Sequence, residues 1–162
     1  MTDYIDISAD MYYGNSNEIM EVLYMGYLVT YEGQRFELEA DKCSYFVNDE
    51  ETPIEGVNPE LILAEMAQSD EVYFEKVYFV ESCEVCQENR KEGAKNYGYL
   101  EAHFYLFSKE GRYVMSSLSS NYEKKALPAL LKSGEVDGGY LVSVNVCDHC
   151  GDYTIDMEFG LW

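Results

Sequence analysis

Positive charge is scarce in this chain. It holds 11 Lys and Arg against 31 Asp and Glu, a formal net charge of −20 at neutral pH. Polyanionic DNA or RNA and anionic membrane surfaces repel such a protein, so direct binding to either is not expected. Long hydrophobic runs are missing too. No stretch approaches the ~18 apolar residues that a spanning helix needs. The opening MTDYIDISAD has neither a basic start nor an apolar run. The sequence therefore predicts no signal or transit peptide, and a cytoplasmic protein whose thiols stay reduced.

The common catalytic signatures are also absent. There is no GxxxxGK[ST] or GxGxxG loop for phosphates, no HExxH and no GxSxG elbow. A zinc deaminase requires H-x-E and then P-C-x-x-C. Here Glu101-Ala102-His103 runs in the opposite order, and Val146 precedes the cysteine pair. The many carboxylates offer no pair that stands out for acid–base work.

What remains is a foldable chain. Its 162 residues suit one compact domain, and 47% of them are hydrophobic, which excludes a disordered acidic tail. The sequence predicts a single α+β domain over residues 1–162. The acidity is uneven. Residues 1–89 carry 21 Asp and Glu against only Arg35, Lys42 and Lys76, whereas residues 90–162 carry 10 against 8 Lys and Arg. That first half serves either as solvated surface or as a face for a basic partner. Sixteen tyrosines favour strands and contact surfaces.

The elements are expected as follows. Residues 3–8 form a short strand. Residues 19–31 are β-prone and turn at Glu32-Gly33 into Gln34–Glu39 as a hairpin. Residues 43–48 add a strand, and Asn48–Thr52 is an acidic loop. Asn58 caps a helix that Pro59 begins, with Ile62, Leu63, Met66 and Ala67 on its inner face. Residues 71–82 form a strand ending at a cysteine pair, and residues 87–97 a polar loop. Residues 98–107 form a strand with Leu100, Ala102, Phe104 and Leu106 on one face. Ser108–Gly111 turns into residues 112–117. Ser120 and Glu123 have capping-box spacing, but Pro128 lies too deep for a regular helix starting there. A short or kinked helix near residues 120–133 is therefore expected, ending at Gly134. Last comes a hairpin of period two: Tyr140, Val142, Val144 and Val146 alternate inward, answered by Tyr153, Ile155, Met157 and Phe159.

Two Cys-x-x-Cys pairs carry the chemistry: Cys83 and Cys86 in ESCEVCQ, Cys147 and Cys150 in VCDHCGDY. Each follows an expected strand. A structural zinc takes four soft ligands in a tetrahedron, and two such knuckles supply them. The knuckles resemble those of zinc ribbons over the few residues around each pair, a device found in proteins of many functions. A glycine after the second cysteine eases the backbone. Gly151 provides one, whereas the first pair has Gln87. A thioredoxin-like redox site requires a helix after its CxxC, and residues 151–159 read as strand. Iron–sulfur ligation by the four cysteines also stands as an alternative. His149 is expected to point outward, His103 to sit half-buried on its strand, and Cys43 to be core. Arg90, Lys91 and Lys95 are placed to offset thiolate charge.

The expected fold class is thus α+β, a mainly antiparallel sheet with two short helices and two hairpins clamped by a four-cysteine metal site. The expected cofactor is structural zinc on Cys83, Cys86, Cys147 and Cys150. The expected function is a non-enzymatic, acidic, zinc-stabilised module that binds another protein with a basic surface. Its sharper form is a nucleic-acid mimic that inhibits a basic-groove protein such as a nuclease. Two alternatives stand beside it: a small cytosolic enzyme with a site around His103, and a thiol redox or metal-handling protein.

Overall fold

A computed structural model describes residues 26–122 and 124–160. The expected strand at 3–8, the first part of the 19–31 run and Glu123 lie outside these residues.

The first hairpin forms where its turn chemistry allows. β1 (Gly26–Tyr31) pairs antiparallel with β2 (Gln34–Glu39) as a separate two-stranded sheet. Glu32 and Gly33 take φ of 48° and 82°. Two consecutive left-handed residues match the right-handed twist of the strands they join. A 3-10 turn at Ala40–Lys42 leads into β3 (Cys43–Val47). The acidic segment after it is a loop. Asp49 accepts amide hydrogen bonds there from Glu51, Thr52 and Phe159.

Helix α1 (Pro59–Ala67) begins as its sequence dictates. Asn58 Oδ1 accepts from the Leu61 N–H at 2.9 Å, and Pro59 fills the first helical position. Ile62, Leu63 and Met66 are buried, whereas Ala67 is exposed. The inner stripe is one residue narrower than expected.

The main sheet has the order β3, β8 (Tyr153–Gly160), β7 (Gly138–Cys147), β5 (Tyr97–Lys109), β4 (Glu75–Phe79). Its spine is the long β5, paired antiparallel with β7 from Tyr99 to Ser108. Along the other edge of β5, its first half pairs with β4 and its second half with β6 (Arg112–Ser116). β7 continues antiparallel to β8, and β3 adds parallel to β8. The fold is therefore α+β and mainly antiparallel. β4 is shorter than the expected 71–82 strand and stops before the cysteine pair. Val72 and Phe74 pack against the core from outside it.

The second helix, α2 (Leu127–Ser133), starts later than the capping-box spacing suggests. Ala126 sits at its N-cap without a side-chain cap, so Pro128 falls in the first turn, where its missing N–H costs nothing. Gly134 closes it at φ 77°.

The sheet has one covered face. Leu100, Phe104, Val142, Val144, Val146, Ile155 and Met157 pack there against α1 and the inner residues of the β1–β2 hairpin, Val29 and Leu38. Each such side chain contributes roughly 1.5–3 kcal/mol through the apolar area it removes from water. Tyr140 and Tyr153 are buried with them, and their hydroxyls donate to the Thr52 and Glu39 carbonyls at 2.7 Å. Those bonds tie the loop and the hairpin to the sheet. Phe159, expected inward, is 38% exposed and meets Tyr140 edge-on. The opposite face carries Glu101, His103, Ser143 and Asn145. Its far end is covered by a second cluster of Phe107, Met115, Leu127, Leu130 and Val136. Its near end carries the cysteines.

Candidate metal centre

The four cysteines predicted as ligands converge. Cys83 and Cys86 lie in the connection between β4 and β5, and Cys147 and Cys150 at the tip between β7 and β8. Their Sγ atoms all lie within 4.8 Å of one another. Cys83 Sγ is 3.7 Å from Cys150 Sγ, and Cys86 Sγ is 3.6 Å from Cys147 Sγ. Both separations far exceed a disulfide bond of about 2.05 Å. These are four separate thiols, close enough for one metal ion to touch all of them.

Local backbone chemistry builds each knuckle. In the first, the Gln87 N–H donates to the Cys83 carbonyl at 2.9 Å, and the Glu88 N–H points at Cys86 Sγ at 3.5 Å. In the second, the Gly151 N–H donates to the Cys147 carbonyl at 3.0 Å. There the His149 and Asp152 amides reach the sulfurs of Cys147 and Cys150 at 3.4 Å. The residue after each pair is left-handed in both: Gln87 at φ 56°, Gly151 at φ 80°. The first knuckle thus adopts the conformation without the glycine that suits it.

The sulfurs differ electrostatically. Burial raises the Cys83 thiol, yet the Cys86 and Val85 amides outweigh it and its pKa falls below the ordinary value. Burial drives Cys147 well above that value and pushes Cys150 up to about 11. Without a cation, the latter two keep their protons at neutral pH. A metal ion must displace those protons in order to bind.

A family model described as a protein of unknown function (DUF3785) matches residues 27–160. The chain belongs to that family. Neither a curated protein nor a solved structure matches it. Both cysteine pairs fall inside the matched stretch.

The expected clamp has a different mechanical setting from the one the sequence suggests. The two hairpins of this DUF3785 chain already share the β5–β7 ladder. The cluster instead brings the β4–β5 connection against the end of that ladder. A second tie runs alongside it, from His149 Nε2 to Glu88 Oε2 at 3.1 Å. His149 is half exposed and outside the sulfur cluster, as expected. Cys43 is partly buried against the core. His103 lies on the open face, its side chain 46% exposed, between Glu101 Oε1 at 2.8 Å and Ser143 Oγ at 3.0 Å. Arg90 donates to the Ala94 carbonyl at 2.5 Å and lies over the Tyr97 ring. The cation beside the second knuckle is Lys76, ion-paired with Asp148. Asp148 reaches over Gly98, so a side chain at residue 98 would have to push that carboxylate, and its Lys76 pair, aside.

Sequence reasoning missed Asn89, which reads as one more polar residue in a polar loop. It is 4% exposed. Its Oδ1 accepts the Cys83 N–H at 3.0 Å and its Nδ2 donates to the Gly98 carbonyl at 3.0 Å. One side chain thereby hangs the first knuckle on β5. Replacing Asn89 by Ala orphans the Cys83 N–H and leaves the Gly98 carbonyl with only the long Asp148 N–H bond, at 3.4 Å. The expected cost is about 1–3 kcal/mol, read as a lower melting temperature and faster metal loss to a competing chelator.

Proposed function

We infer that this chain is a non-enzymatic, zinc-stabilised module that binds another protein through an acidic surface. The observation that carries the reading is the closed set of four cysteine sulfurs. Tetrahedral zinc with Zn–S bonds of about 2.3 Å separates its sulfurs by about 3.8 Å. The closest sulfur pairs here, at 3.6 and 3.7 Å, match that edge. Such a set leaves no ligand position open for a substrate, which favours a structural ion over a catalytic one. A polynuclear iron–sulfur cluster attaches its cysteines to different irons and spreads them more widely. His103 has both ring nitrogens engaged on an open sheet face, an arrangement that gives a substrate little enclosure.

The partner is read from charge. Among the described residues no Asp or Glu is buried, so the negative charge faces outward. A basic protein is steered toward such a surface. The sharper form of the reading is an inhibitor that occupies the nucleic-acid groove of a nuclease or a DNA-binding protein.

Elemental analysis of protein purified without added metal tests the first part. About one zinc per chain is expected. Iron, or four reactive thiols without metal, overturns it. Titration against a panel of nucleases at rising salt tests the second. Affinity is expected to fall steeply with salt. Inhibition indifferent to salt, or none across the panel, removes the mimicry.

A further inference from the structure

We propose that a groove beside the metal centre receives an arginine side chain from a partner protein. This rests on the protein-binding reading above and names where that binding is specific. The groove encloses about 270 Å³ on the open face of the sheet. Tyr45 of β3, Asn145 of β7, Tyr99 of β5 and Phe79 of β4 line it, and the first cysteine knuckle walls one side.

Two properties converge on a guanidinium. The first is aromatic surface. The Phe79 and Tyr99 rings stand 5.1 Å apart at 50°, and Tyr45 is 58% exposed. Ring faces attract a cation, and a planar guanidinium stacks on them better than an ammonium does. The second is charge. Every charged residue lining the groove is acidic, namely Glu81, Glu84 and Asp152, and no Lys, Arg or His is among them. Lys76, the nearest cation along β4, is in register with Leu100 and so lies on the covered face.

Two of the groove's hydroxyls are already spent within it: Tyr99 Oη donates to the Glu81 carbonyl at 3.1 Å, and Ser44 Oγ donates to Asp152. The charge the groove presents is carboxylate, beside ring faces. Arginine carries five N–H donors in a flat fork and no acceptor. The groove is also too shallow and open to hold a free small molecule by enclosure. The side chain is therefore expected to arrive on a polypeptide whose backbone crosses the sheet face.

The test is an NMR titration of ¹⁵N-labelled, metal-loaded full chain with Gly-Gly-Arg-Gly-Gly, its lysine and citrulline counterparts, and arginine amide. Saturable shifts are expected at the amides of Tyr45, Asn145 and Thr154. Arginine peptide is expected to bind more tightly than lysine peptide, and citrulline peptide not to bind. Tyr45→Ala, an exposed truncation that leaves the core untouched, is expected to weaken binding about fivefold. Shifts scattered over the acidic surface, equal binding of citrulline, or no change in Tyr45→Ala overturn the proposal. Arginine amide binding as tightly as the peptide overturns its source in a protein. If the groove fails while basic proteins still bind in a salt-dependent manner, this inference falls and the module stands. Absence of zinc removes the module's foundation whatever the groove does.

Discussion

Stripping the metal from the loaded protein is expected to lower its melting temperature by roughly 10–20 °C. A structural ion held by four thiolates contributes several kcal/mol of folding free energy, and each kcal/mol shifts a domain of this size by about 2–4 °C. The loss is expected to be local. The core of β5, β7, β8 and α1 is apolar and independent of the sulfurs. The β4–β5 connection, by contrast, is held to the sheet end by the cluster, by Asn89 and by the exposed His149–Glu88 pair. Hydrogen exchange should therefore accelerate at residues 80–98 and 147–152 while residues 102–106 and 140–144 stay protected. Acid acts in the same direction. The ligands must be thiolates, and burial holds Cys147 and Cys150 above the ordinary thiol value. Protons therefore compete harder as the pH falls, and metal retention weakens. Calorimetry with and without a chelator gives the decisive reading. An unchanged melting temperature means that the sulfurs hold nothing of structural weight.

Parts of this fold were legible wherever one face of an element meets water and the other a core. β5, β7 and β8 alternate for that reason, and their inward residues were readable individually, apart from Phe159 at the end of β8. The turns at Glu32-Gly33 and Glu110-Gly111 were readable from local chemistry, since each takes two consecutive positive φ values. Composition without alternation misled. The 71–82 run is apolar, yet only Glu75–Phe79 is strand, and Val80 is 81% exposed. The parallel pairing of β3 with β8 had no sequence signal, because it joins segments about a hundred residues apart. The cysteine cluster was legible because each knuckle is a local motif and soft ligands in fours have few other uses. Its supports were not. Asn89, Gly98 and the Lys76–Asp148 pair matter only through distant neighbours, and no periodicity marks them.

The two knuckles should respond in opposite directions to a change at equivalent positions. Gly151 has φ 80°, and a β-carbon there would lie 2.8 Å from Phe36 Cδ1 and 3.4 Å from Phe36 Cβ. Gly151→Val therefore meets two penalties, a left-handed backbone worth about 1–2 kcal/mol and a collision with a ring packed against the core. A total loss of roughly 2–4 kcal/mol is expected, together with faster transfer of metal to a chelator, because the strained amide is the one bonded to the Cys147 carbonyl. Gln87 holds the same post at φ 56°. Gln87→Gly relieves the left-handed cost but loosens the unfolded chain, so a gain of at most about 1 kcal/mol is expected. Denaturant unfolding of the metal-loaded variants compares the two directly. Destabilisation by both would show that Gln87 makes a contact that outweighs its backbone, and that the left-handed position is not what limits the first knuckle.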